Sequence, residues 1–332
     1  MTEEFIHTPS AHCETGTVSN LLRSYGLELS EPMVFGLGSG MAFAYLKQIK
    51  INGLPLIAYR MPPKMIIKLL SWRIPGLKFK YETFRYADKG MHALDAKLLQ
   101  GNAVGLQTSV FFLPYFPQAM RFHFNAHNLV VYAKENNEYK ISDPVFSHLV
   151  TTTEEDLQRA RFSKGALAPK GLMYYPSEIP DSIDFDLVIP KSVRLMGKMN
   201  GRWNPVPLSG ARGIRLMAKN IAKLDNVDQH YAQLFMGHIV RMQEEIGTGG
   251  AGFRFIYAAF LQESANLVDS TFLHERSAEM THIGDEWRDF AVLCARLSKK
   301  RKGQSYTDAA IQLNKIADME LDFYQRLSKF KL

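Results

Sequence analysis

The chain changes texture near residue 206, and no other feature constrains its fold as strongly. Up to Trp203-Asn-Pro-Val-Pro207, strand-like runs alternate with prolines and polar turns. Beyond it, 209–246, 253–276, 278–299 and 307–330 each carry apolar residues at helical spacing, with almost no proline or strand signal. At 332 residues the chain also exceeds what one ordinary core serves. The expectation is an α+β fold, with a sheet-containing domain over 1–206 followed by an all-α domain over 207–332.

Within the first part, Ser10 suits a helix N-cap, and Val18, Leu21, Leu22 and Tyr25 recur at helical spacing before the stop at Gly26. A second helix opens at Ser30-Glu-Pro32 and runs into the glycines of 36–40, whose spacing is not that of a dinucleotide fingerprint. Strands are expected over 41–51, 54–59, 103–110, 127–133 and 139–142, and a short basic amphipathic helix over 63–72.

Apolar residues make up 46% and charged residues 22%, a balance that gives a folded globular chain rather than a disordered one. No run approaches the ~18 apolar residues of a membrane span. Met1-Thr-Glu-Glu-Phe5 lacks the basic and apolar regions of a signal peptide. The two cysteines, Cys13 and Cys294, lie 281 positions apart, so a disulfide framework is not expected and a reducing cytoplasm is; they are too few for a structural zinc site and no His-x-x-x-His pair stands beside a carboxylate, so no metal is expected. Nucleic-acid binding is likewise not expected. The basic run Lys299-Lys-Arg-Lys302 reads most simply as a solvated loop.

A thiol acyl-transfer site needs a thiolate at a helix N-terminus, a histidine within hydrogen-bond reach, and a third group to orient that histidine. Cys13 falls about three positions inside the Ser10 cap, among polar neighbours, whereas Cys294 lies in the apolar run Phe290-Ala-Val-Leu-Cys294 and reads as core. His127 begins a strand whose hairpin partner ends at Asp143, so the two lie at the same end of the pair. Register decides whether they share a face. A two-residue Asn136-Asn137 turn gives facing pairs that sum to 273 and sets Asp143 opposite Val130, on the wrong face. A sum of 272 sets it opposite Leu129, diagonal to His127 on the right face. An odd-length loop or a bulge between Ala133 and Lys140 is therefore expected.

An early Cys on a helix, then His-x-x-Val-Val, then Asp-Pro sixteen residues after the His resembles the bacteriocin-leader cysteine peptidases of ABC exporters, which have a papain-like fold. That family places an oxyanion-stabilising Gln six residues before the Cys, a position held here by His7; His12, beside the thiol, is a second candidate for supporting the site. His12-Cys-Glu-Thr15, Leu29-Ser-Glu-Pro-Met-Val-Phe-Gly-Leu-Gly-Ser-Gly40 and Gly247-Thr-Gly-Gly-Ala-Gly-Phe-Arg254 are similar to the butirosin-biosynthesis acyltransferase family, which pairs such a domain with an uncharacterised helical one. The resemblance implies transfer of an acyl group from an acyl carrier protein thioester, through acyl-Cys13, to an amine or hydroxyl of a small-molecule acceptor. Its phosphopantetheine arrives on the carrier, and the enzyme binds no cofactor of its own. The helical domain would be a lid or a substrate-binding domain. Alternatives on the same residues are a cysteine hydrolase, an acyl-Cys cyclase, and a papain-like scaffold kept as a binding partner.

Two further stretches bear on such a partner. Between Glu31 and Glu82 there is no acidic residue but eight basic ones, including Lys64, Lys68 and Arg73, which flank the apolar run Met65 to Trp72. This window is either a solvated face or a docking surface for an acidic carrier protein. Gly249, Gly250 and Gly252 precede a helix; they form either a tight interhelical corner or a cradle for the phosphate of phosphopantetheine.

Overall fold

The computed structural model describes residues 5–51, 53–201, 204, 206–299 and 305–332. The acidic start at 1–4, the linker positions 202, 203 and 205, and the basic run at 300–304 lie outside the described residues.

In chain order the elements are α1 (Cys13–Ser24), α2 (Glu31–Leu37), β1 (Met41–Ile51), β2 (Leu54–Arg60), α3 (Met65–Arg73), β3 (Lys78–Glu82) and α4 (Ala87–Leu99). Then come β4 (Val104–Thr108), β5 (His127–Glu135), β6 (Glu138–Ser142), β7 (Val150–Thr153), α5 (Glu154–Arg161) and β8 (Met173–Glu178). The helices α6 (Phe185–Asn200), α7 (Gly210–Ile221), α8 (Gln229–Val240), α9 (Arg254–Leu267), α10 (Thr271–Ser298) and α11 (Tyr306–Leu327) complete the chain.

These elements segregate into two compact units, one of Met1–Val34 with Leu70–Ile183 and one of Phe35–Leu69 with Asp184–Leu332. The division differs from a single cut near residue 206 because β1 and β2 pair only with each other among the described strands. Their partners lie downstream: the Tyr45 amide donates to the carbonyl of Leu208, in the turn before α7, and the side chain of Asn200, the last residue of α6, donates to the Met41 carbonyl.

The first unit is built on a six-stranded antiparallel sheet in the order β3-β8-β4-β5-β6-β7. Leu106, Leu129, Val131 and Ile141 project from it into a core completed by Met91 and Leu94 of α4 and Leu157 and Ala160 of α5. Helix α1 packs on β4 and β5. Thr153 caps α5 by accepting from the Asp156 amide, as its Thr-x-x-Asp spacing demands.

In the second unit, the aromatic residues of the β1–β2 hairpin pack on the helices. Phe43 and Tyr59 lie 5.8 and 5.6 Å from the Trp287 ring, and Trp287 is fully buried. Two of the expected long helices are each broken by a polar cap. Asp228 accepts from the Tyr231 amide and starts α8, and Ser270 accepts from the Leu273 amide and starts α10. Arg254 and Glu320 form a wholly buried ion pair at 2.7 Å, with the Trp287 indole N–H donating to the same carboxylate oxygen and the Gly252 carbonyl accepting from Arg254. No described helix is long and apolar enough to cross a membrane.

Candidate active site

Helix α1 begins one residue after His12, so Cys13 is its first residue rather than lying a turn inside a Ser10 cap. The N-cap is His12, whose side chain makes no capping hydrogen bond, and the residues before it are braced from elsewhere. The Glu31 carboxylate accepts from the amides of Ala11 and His12 at 3.0 and 2.7 Å and from the Thr15 hydroxyl at 3.2 Å. It thereby fixes the approach to the helix start, where amides have no intrahelical acceptor and the dipole favours an anion. Ser10 serves instead as a tether, its amide donating to the Pro144 carbonyl. The Cys13 thiol is half-buried, 4.0 Å from the Ala126 carbonyl, while Cys294 is fully buried in α10.

The hairpin brings His127 and Asp143 together through a bulge. Asn136 and Asn137 both take positive φ and make the two-residue turn, and the first pairs sum to 273: Glu135 with Glu138, Lys134 with Tyr139, Ala133 with Lys140. Tyr132 is then skipped, and Val131 pairs with Ile141 and Val130 with Ser142, a sum of 272. The irregularity sits just outside the expected Ala133–Lys140 window, and it achieves the shift that the site requires. His127 Nε2 lies 2.7 Å from Asp143 Oδ2, with His127 3% and Asp143 0% exposed.

Asp143 is held on both oxygens. The Tyr115 hydroxyl donates to Oδ2 at 2.9 Å, and the Val145 amide donates to Oδ1 at 3.1 Å. The Phe116 ring stands edge-on to the His127 imidazole at 5.3 Å, and Phe146 closes the same corner. Burial works against charge on His127, but the Asp143 carboxylate, its hydrogen bond and the contribution of Cys13 outweigh it, so the imidazole pKa is pushed up to about 10. With Nε2 committed to Asp143, Nδ1 is left to serve the thiol. The arrangement sets a thiol near an imidazole that a buried carboxylate orients, with an imidazolium able to neutralise a thiolate. Tyr115 and Glu31 were not legible in the sequence, since neither stands at a telling distance from its partner.

The supporting candidates fare differently. His7 Nε2 donates to the Phe146 carbonyl at 2.9 Å, so Nδ1 accepts from the Ser142 hydroxyl at 2.8 Å. Both ring nitrogens pin the N-terminal segment to the end of β6, and His7 is not an oxyanion donor. His12 Nδ1 is 3.0 Å from the Thr15 hydroxyl, whose proton goes to Glu31. In the neutral ring this puts the proton on Nδ1 and a lone pair on Nε2, so His12 supports the helix start rather than an oxyanion. Arg73 is buried, only 4% exposed, which removes it from any docking face; Lys68 and Trp72, one turn apart on α3, are exposed, and Lys64 is half-buried. The glycine segment forms a corner. The Gly250 amide donates to the Thr248 hydroxyl and the Ala251 amide to the Glu244 carboxylate, so the protein's own groups fill the would-be cradle. A Cβ at Gly252, where φ is +56°, would lie 2.3 Å from the Tyr59 ring. Among the described residues no group of three His, Cys, Asp or Glu side chains could hold a metal.

Residues 155–327, just over half the chain, match the family described as "Domain of unknown function (DUF4872)", and residues 12–144 match "Butirosin biosynthesis protein H, N-terminal". Among solved structures, one described as a C39-like peptidase from Bacillus anthracis matches with a TM-score of 0.37 and 13% identity, covering 55% of this chain and 97% of that one. No curated protein matches.

Proposed function

The chain belongs to the family described as "Domain of unknown function (DUF4872)", and from the match of residues 12–144 to "Butirosin biosynthesis protein H, N-terminal" we propose that it is a thiol acyltransferase working through an acyl-Cys13 intermediate. The observation that carries the reading is the buried 2.7 Å His127–Asp143 pair, set to serve a thiol at the first position of α1. The Cys13 thiolate attacks the carbonyl carbon of an acyl thioester, and the departing thiolate takes the proton from the His127 imidazolium. An amine or hydroxyl acceptor then adds to the acyl-Cys13 carbonyl, neutral His127 takes its proton, and Cys13 leaves as thiolate. With His7 and His12 engaged elsewhere, the amides at the start of α1 are the donors available to the oxyanion.

Intact-mass analysis after mixing with an acyl thioester tests this directly. The expected adduct forms on wild type and not on Cys13→Ala, and a primary amine clears it faster than buffer does. An adduct on the Cys13→Ala chain sinks the thiol mechanism. Clearance at the same rate with and without amine makes the protein a hydrolase on the same residues. The donor in this reading is carried by an acidic acyl carrier protein, for which the exposed Lys68 and Trp72 supply charge and apolar contact. Lys68→Glu is expected to slow a carrier-bound donor severalfold while sparing a small soluble thioester.

A further inference from the structure

The segment between β4 and β5 has two sides. Tyr115 and Phe116 hold Asp143 and His127, while Phe111, Phe112 and Pro114 face a cavity of about 630 Å³ completed by Gln118, Arg121, Asp156 and Arg159. The cavity shares no lining residue with the thiol site. Its size is that of a small-molecule site.

Its chemistry is specific. The Arg121 Nε is buried with no hydrogen-bond partner in the protein, a donor that a folded chain rarely leaves unmet. Arg159 lies over the Phe112 ring, 4.9 Å from its centre, and 3.9 Å from Asp156. Asp156 also accepts from the Thr153 hydroxyl, so it steers Arg159 without cancelling both cations. Phe111 is 40% exposed and stacked on His123 at 4.0 Å, which leaves an aromatic wall beside the two guanidinium groups. Both ends of the segment are tied down, the Ser109 amide to the Ala160 carbonyl and the Val110 amide to the Phe124 carbonyl.

We propose that this cavity binds a small organic anion, a carboxylate or phosphate monoester carried on an aromatic or flat apolar body. Guanidinium forks match the oxygens of either group, and the phenylalanine rings bury the body. The site is independent of the acyl-transfer reading and does not need it to be right.

Benzoate and phenyl phosphate, with benzyl alcohol as the neutral counterpart, can be titrated into the full-length protein by calorimetry. At least one anion is expected to bind saturably at one site, and the tighter of the two identifies the oxyanion. Arg121→Gln should weaken it about tenfold or more, the loss of a charge-assisted contact, and Arg159→Gln should weaken it too, with the melting temperature of this exposed variant unchanged. Benzyl alcohol binding as tightly as the anions overturns the proposal. So does the absence of saturable binding by either anion at millimolar concentration, or full retention of affinity in Arg159→Gln.

Discussion

Asp143 Oδ2 accepts from two groups, His127 and Tyr115, and this shared oxygen sets the behaviour of the site residue by residue. Burial, then the charge of Asp143 and the hydrogen bond to it, hold the Tyr115 phenol well above its usual range, so it remains a donor at any working pH. Tyr115→Phe should therefore lower kcat by about tenfold, the loss of one hydrogen bond to a charged group, while KM for a small thioester stays within twofold. An equal loss in KM would make Tyr115 a substrate contact instead. The raised His127 pKa also links folding to pH. A group whose pKa is higher in the folded state stabilises fully below its unfolded value of about 6.5, and that contribution fades as pH rises toward about 10. Denaturant unfolding of wild type and Asp143→Asn should differ most near pH 6 and converge by about pH 10; a gap that widens with pH contradicts the assignment. The meeting of His127 and Asp143 was readable because strand register leaves a short-range mark, whereas the start of α1 was misplaced because its N-cap is His12 and not Ser10. Tyr115 was not, since its 28-residue separation from Asp143 has no periodicity to betray it.

Among the elements, α1 and the turn after β6 must fit closely for the thiol to meet the imidazole. Gly16 makes this possible: a Cβ there would lie 2.4 Å from the Ser10 Cβ and 2.7 Å from the Pro144 Cβ. Gly16→Ala is expected to cost about 1–3 kcal/mol from overpacking, and to slow Cys13 alkylation by iodoacetamide as α1 lifts from the Asp143-Pro144 turn. Unchanged stability and alkylation would show that the contact yields without moving the helix. The β5–β6 hairpin was the most legible part of the fold, because the alternation of side chains makes a one-residue slip intolerable. Its bulge came at Tyr132 rather than nearer the turn, where Asn136 and Asn137 both accept positive φ and keep the tight two-residue connection.

For the whole molecule, the texture change at residue 206 gave the helical half but not the membership of the hairpin. The alternating burial of β2 says that one face is covered and is silent about what covers it. Tyr59 and Phe43 belong to the Trp287 core, and the buried Arg254 lies over both the Tyr59 and Trp287 rings. A fragment ending at residue 206 would therefore leave 35–69 and α6 without α7 to α11. It is expected to melt without a cooperative transition and to bind hydrophobic dyes, as judged by circular dichroism and dye fluorescence; a sharp melt would mean that the first unit is self-sufficient despite this unpartnered hairpin.

The same interleaving sets a schedule for the nascent chain. Trp287 lies 227 positions beyond the end of β2 at Arg60, so at typical synthesis rates the hairpin leaves the ribosome roughly 10–45 s before the residue it packs against. During that interval two paired strands with Phe43, Tyr45, Ile57 and Tyr59 on one side have no core to enter. Slowing translation between residues 60 and 287 is expected to lengthen the exposure of this apolar face to aggregation.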